Sequence, residues 1–263
     1  MDALLHVVGL VKRFGGLTAV DQMSLDINKG EVVGLLGDNG AGKSTFIKMV
    51  SGVYQPDEGE IYFDGQKMDF NGPREARDKG IETIYQDLAL AENLDIGSNI
   101  FLGREVKKAW LGGLVHTLDR TKMREESAQV LDRLDIHVAS MTQQVRNLSG
   151  GQRQTVAIAR SIYWDAKMMI MDEPTAALGV TEQRKVLTLV RTLAEQGIPV
   201  ILISHNMQDV FAVADRIVVM RRGKMVGELM AEKTTPDEVV SLMVGAEAVH
   251  EMGVIPKALR NND

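Results

Sequence analysis

The densest chemistry in the chain is Gly37-Asp38-Asn39-Gly40-Ala41-Gly42-Lys43-Ser44, which fits G-x-x-x-x-G-K-S/T, the pattern of a phosphate-binding loop. Glycines let backbone N–H groups approach a phosphate with no side chain in the way. A helix N-terminus behind the loop adds partial positive charge. Lys43 has the reach to meet β- and γ-phosphate oxygens, and the Ser44 hydroxyl can ligate Mg²⁺, with Thr45 completing the nucleotide-binding set. The apolar run Glu31–Leu36 precedes the loop and Lys43–Val50 reads as a helix, so the motif has the strand–loop–helix setting it needs.

A second group of polar residues follows two further apolar runs. Met168–Met171 ends in Asp172 and Glu173, and Val200–Ile203 ends in Ser204 and His205. In open α/β sheets ligands bind at the carboxyl ends of strands. Asp172 is therefore expected to hold Mg²⁺, directly or through water, and Glu173 to orient and deprotonate an attacking water. His205 is expected to donate a hydrogen bond to the γ-phosphate or that water. Two acidic residues in this position could instead cap the next helix. The remaining histidines, His6, His116, His137 and His250, are scattered, with no pair at metal-ligand spacing.

The elements that must position these groups alternate. His6–Val11, Met23–Ile27, Ile61–Phe63 and Ile81–Tyr85 read as further strands, and Ile217–Met220 with Lys224–Leu229 reads as a hairpin around Arg221-Arg222-Gly223. Thr181–Glu195 reads as a helix. From about Leu88 to Arg160 the pattern turns helical; Arg120–Leu134 carries Met123, Val130, Leu131 and Leu134 on one face. Thr235-Pro236-Asp237-Glu238 is a capping box opening a helix to about Val244, with 246–263 expected as a loosely held tail. Strand–helix–strand alternation implies a largely parallel sheet flanked by helices.

Composition narrows the function classes. The 263 residues are 44% hydrophobic and 25% charged, which excludes a disordered tail and allows a sizeable core. A net charge of −6 argues against a nucleic-acid partner. The absence of cysteine excludes disulfides, thiol nucleophiles and Cys-ligated metal, and fits a reducing compartment. Met1–His6 lacks a basic leader, and no window approaches ~18 apolar residues, so neither a secretory signal nor a membrane span is expected.

Leu148-Ser149-Gly150-Gly151-Gln152 narrows the reading further. Ser149-x-x-Gln152 fits a capping box, and the same hydroxyl and N–H groups can form an anion site. Followed by Arg153-Gln154 and an amphipathic helix to Tyr163, the pentapeptide resembles the signature motif of ABC ATPases. Other landmarks of that family match in order. Phe14, in Lys12-Arg13-Phe14-Gly15-Gly16, corresponds to the aromatic that stacks on adenine, Gln86 to the glutamine that contacts Mg²⁺ or the attacking water, and His205 to the switch histidine. The resemblance covers residues 5–245. It implies a P-loop NTPase core (a RecA-like mixed sheet with flanking helices), an N-terminal antiparallel β subdomain and an inserted α-helical subdomain over 88–160. It also implies a head-to-tail dimer, or a paired ATPase subunit, in which Lys43 and Ser149 of one chain serve different ATP molecules. Mg-ATP would close such a dimer and hydrolysis would open it. Residues 87–104 would receive a transmembrane permease. One position departs: Gly179 stands where the family usually carries an aspartate.

Within the family, the strings around Asp38-Asn39, Gly80–Ala91 and Pro174–Gly179 are similar to the monosaccharide importers of the fructose, ribose and xylose type. That resemblance implies a cytoplasmic-face location at a bacterial inner membrane and, indirectly, a periplasmic sugar-binding protein. The rival expectations are a branched-chain amino acid importer subunit, a soluble non-transport ABC ATPase and a small-molecule P-loop kinase.

Overall fold

The computed structural model describes residues 3–110, 115–134, 136, 138, 140–176 and 178–245. The expected tail, His137 and His250 lie outside them. The chain forms two compact units, one of Met1–Thr83, Lys167–Glu173 and Leu193–Asp263, the other of Ile84–Ala166 and Pro174–Thr192.

The first unit contains two sheets. In one, β1 (Leu5–Phe14) pairs antiparallel with β2 (Leu17–Ile27) and with β4 (Glu58–Phe63), which in turn pairs with β5 (Gln66–Met68), in the order β2-β1-β4-β5. The other has the order β12-β11-β3-β10-β9-β6, from β3 (Val32–Leu36), β6 (Ile81–Ile84), β9 (Met168–Asp172), β10 (Val200–Ile203), β11 (Arg216–Arg221) and β12 (Lys224–Met230). Strands β9, β10, β3 and β11 run parallel, and β12 returns antiparallel. All of β3 and β10 is buried, as expected where helices cover both faces and the strand reads as one apolar run. The β11–β12 turn places Arg222 at φ 49° and Gly223 at φ 83°, the two left-handed residues of a type I′ hairpin.

Helices α1 (Lys43–Val50), α2 (Pro73–Asp78), α7 (Met207–Val213) and α8 (Pro236–Val244) complete this unit. Both halves of the α8 capping box form, Thr235 with Glu238. Arg216, almost fully buried, grips Glu31 through Nε at 2.7 Å and Nη2 at 3.0 Å, pairs with Glu228, and donates to the Asp26 carbonyl. Burial opposes its charge, yet the two carboxylates outweigh burial and raise its pKa.

The second unit holds α3 (Ile96–Ile100), α4 (Arg120–Arg133), α5 (Gly150–Tyr163) and most of α6 (Val180–Glu195). Met123, Val130, Leu131 and Leu134 are buried as the helical face of α4 predicts. Phe101, Tyr163 and Trp164 form an aromatic cluster with centroids 4.4–5.8 Å apart, and the Trp164 indole donates to the Ile100 carbonyl. Residues 88–160 are not helical throughout: β7 (Lys107–Trp110) and β8 (Val115–Leu118) pair as an antiparallel hairpin. β-branched and aromatic residues flanking Gly112-Gly113 in the sequence explain the departure. Among the described residues no helix is long and apolar enough to cross a membrane.

Candidate nucleotide site

The phosphate loop leaves β3 and enters α1 through Gly42, whose φ of 103° only glycine adopts without strain. A Cβ on Gly42 would lie 2.4 Å from the Ala19 carbonyl oxygen, and one on Gly37 would lie 2.3 Å from that of Met220. The loop therefore needs glycine here for packing as well as for an approaching anion. No side chain caps the start of α1 and its first turn holds no acidic residue, which leaves its positive end suited to phosphate. Asp38, Asn39, Gly40 and Ser44 are exposed, Thr45 is half-buried and Ala41 is buried.

Lys43 turns its ammonium onto its own loop, donating to the carbonyls of Gly37 at 2.6 Å and Asp38 at 3.0 Å. Burial lowers its pKa, against the opposing charges of Glu173, Asp172 and Asp38. Asp172, the last residue of β9, has its carboxyl pushed up by burial, with Lys43 and Lys48 pulling the other way. A partly buried carboxylate whose ionised form is penalised is a position that a cation relieves. Among the described residues no three acidic or histidine side chains cluster as a cage. The Asp172 carboxylate and the Ser44 hydroxyl are hard oxygen donors of the kind Mg²⁺ takes, and one or two such protein ligands suffice beside phosphate oxygens.

Glu173 follows Asp172 with φ 54°, a left-handed conformation that costs a non-glycine residue about 1–3 kcal/mol. Its N–H donates to the Ile203 carbonyl at 2.9 Å, which fixes it to the neighbouring strand β10. Its carboxylate meets His205 Nδ1 at 2.7 Å, the carboxylate 19% and the imidazole 78% exposed. A neutral imidazole with its proton on Nδ1 presents Nε2 as an acceptor; donating from both nitrogens requires the imidazolium. Residues 32 positions apart in sequence are thus brought together by parallel pairing of β9 and β10.

Phe14 ends β1 and is 44% exposed. Its strand partner is Leu17, two residues before the Ala19 carbonyl that abuts Gly42. The far end of this hairpin therefore lies beside the phosphate loop.

Gln86, Ser149, Gly150, Gly151 and Gln152 belong to the second unit. Gln86 lies exposed after β6. Ser149 caps α5: its Oγ accepts from the Gln152 N–H at 3.3 Å, and its own N–H donates to Gln152 Oε1 at 3.0 Å. A Cβ on Gly151 would lie 2.7 Å from Glu182 Cγ and 2.8 Å from its Cβ, so packing against α6 already demands glycine there. Arg153 and Arg160, further along α5, donate to the carbonyls of Leu148 and Arg146 and of Leu88 and Ala89 respectively. Sequence reasoning missed Lys48, because a lone lysine on an amphipathic helix reads as solvent-facing until the fold sets its charge against Asp172.

His6 has an ordinary structural role, with Nδ1 2.5 Å from Asp26. His116 sits exposed on the β7–β8 hairpin.

Comparison with known proteins identifies a family. The ABC transporter family matches residues 20–176. The chain is 51% identical to the xylose/arabinose import ATP-binding protein of Sulfolobus acidocaldarius, over 92% of this chain and 94% of that one. It is 46% identical to the fructose import ATP-binding protein of Rhizobium meliloti, over 94% and 95%. A ribose import ATP-binding protein of Streptomyces avermitilis is 41% identical over 93% of this chain, which spans 45% of that longer protein. Among solved structures, the ADP conformation of an ABC transporter's ATP-binding cassette superposes with a TM-score of 0.77 at 25% identity, covering 97% of this chain and all of that one. Phosphate loop, paired strand-end carboxylates and capped α5 belong to a fold and a sequence that agree: the chain is an ATP-hydrolysing member of the ABC transporter family.

Proposed function

We propose that this chain is the ATPase subunit that powers a membrane permease for import of a monosaccharide. The observation that carries the hydrolytic part is the Glu173–His205 contact at the ends of β9 and β10, in the same unit as Lys43 and Asp172. Lys43 and the N–H groups of Gly37–Thr45 bind the phosphates, and Phe14 stacks on the adenine. Ser44 and Asp172 would hold Mg²⁺, which would neutralise phosphate charge when bound. Glu173 accepts the proton of the attacking water, and His205 orients it.

Ser149, Gly150, Gly151 and Gln152 serve the ATP of a second subunit, so the working form is a head-to-tail homodimer or a pair with a related subunit. An ATP-binding cassette bound to ADP and Pi, 25% identical and with a TM-score of 0.70 over 86% of this chain, is described as dimeric, which supports that reading. The sugar assignment rests on the xylose/arabinose, fructose and ribose import proteins at 51%, 46% and 41% identity. The subunit would act at the inner membrane face, held there by its permease.

Radiolabelled uptake across a monosaccharide panel tests the assignment, in a host whose chromosomal copy carries Lys43→Ala. Loss of uptake of one sugar is expected and names the cargo. Wild-type uptake of every sugar, with loss for a branched-chain amino acid, would overturn the sugar reading in favour of the amino acid one.

A further inference from the structure

The segment after α1 is tied to the end of β1 by hydrogen bonds and a ring contact. The N–H groups of Val53 and Tyr54 donate to the Lys48 carbonyl at 2.8 and 3.0 Å, which fixes Tyr54 to the phosphate helix. The Tyr54 ring meets Phe14 edge-on, centroids 5.3 Å apart at 70°, while Lys48 Nζ lies 5.5 Å from the Tyr54 centroid. Three residues on, Asp57 accepts from Lys12 Nζ at 2.8 Å and from the Arg13 N–H at 2.6 Å, and its own N–H donates to the Val11 carbonyl. Lys12 Nζ also donates to the Gln55 carbonyl and stands 5.8 Å from the Phe14 ring. The three residues before Phe14 are thus held by Gln55 and Asp57, and its ring by Tyr54, all within a single four-residue segment anchored on α1.

An aromatic ring presents a useful stacking face only if its distance from the phosphate site is fixed. Phe14 sits at a hairpin end, paired with Leu17 across Gly15-Gly16, and its ring is 44% exposed, so the Tyr54 contact adds a restraint on the ring that strand pairing alone does not give. We propose that Tyr54 and Asp57 are positioning residues that set Phe14 at the span between phosphate loop and base, and so determine how much the base contributes to nucleotide affinity. This rests on the reading of Lys43 and Phe14 as nucleotide-binding. The Asp57 carboxyl is held below the usual carboxylate range by the hydrogen bonds from Lys12 and Arg13, consistent with a permanently charged clamp.

Calorimetric binding of ADP and of inorganic tripolyphosphate, both with Mg²⁺, separates base from phosphate. Tyr54→Leu and Asp57→Asn are expected to weaken ADP about tenfold, ~1.4 kcal/mol, with tripolyphosphate unchanged within about twofold. Tyr54→Phe keeps the ring edge and is expected to bind ADP as the parent does. Thermal melts identify any variant that fails to fold; if Asp57→Asn does so, the Tyr54 pair carries the test. Equal weakening of both ligands, or of neither, would overturn the positioning role. Lys43→Met binding tripolyphosphate at parent affinity would instead overturn the phosphate-loop reading, and this inference with it.

Discussion

In the proposed function Lys43 is placed for ligand rather than for stability. It is half-buried, its ammonium spends its hydrogen bonds on two carbonyls of its own loop, and burial lowers its pKa. Since the folded pKa lies below the unfolded 10.5, the unfolded chain binds more protons between those values. The protein therefore gains stability as pH rises through that window. Lys43→Met removes this gain, and a difference of denaturation curves between parent and variant over that range should show it. The same variant should leave the nucleotide-free melting temperature unchanged or higher while nucleotide affinity falls at least roughly 30-fold, the lower end of what truncating a charge pair costs. A lowered melting temperature with intact affinity would contradict this. Glu173 tells a similar story through its backbone, which holds a left-handed φ that a strand end does not need.

Among the elements, α3 shows how one carboxylate organises the second unit. Asp95 caps α3 by accepting from the Ser98 N–H at 2.8 Å and receives Arg124 of α4 at 2.9 Å. Burial pushes its carboxyl up, but the hydrogen bonds from Ser98 and Arg124 outweigh burial and hold it below 3.8. Its contribution is present above 3.8 and lost as pH falls through the lowered folded value. Asp95→Ala should cost about 2 kcal/mol at pH 7 in urea denaturation, and the difference from the parent should shrink below pH 4. A pH-independent difference would assign the loss to packing alone. The elements that carry the phosphate loop and Asp172 are legible because β3, β9 and β10 are unbroken apolar runs and α1 keeps a helical period. The first half of β2 is not, since Thr18-Ala19-Val20-Asp21-Gln22 is largely polar and interrupted by register shifts, with Gln22 at φ 54°. α2 and α7, of six and seven residues, are too short for periodicity to declare them. The Glu173–His205 pair was foreseeable as two residues at one sheet edge, whereas Tyr54 and Lys48 gain meaning only from contacts between segments.

At the scale of the whole molecule, one chain carries one phosphate loop and one capped α5, in separate compact units. It belongs to the ABC transporter family, and two relatives 51% and 46% identical over more than nine-tenths of its length are import ATP-binding proteins. In the proposed function Glu173 is the base of an ATP hydrolysis that a pair of chains performs. Purified Glu173→Gln protein in Mg-ATP, followed by phosphate release and by light scattering, tests this most directly. Hydrolysis is expected to fall at least roughly 100-fold, the range for a lost general base, with ATP still bound and the protein shifted to a dimer. Hydrolysis at the parent rate, or a monomer that binds ATP without pairing, would contradict it.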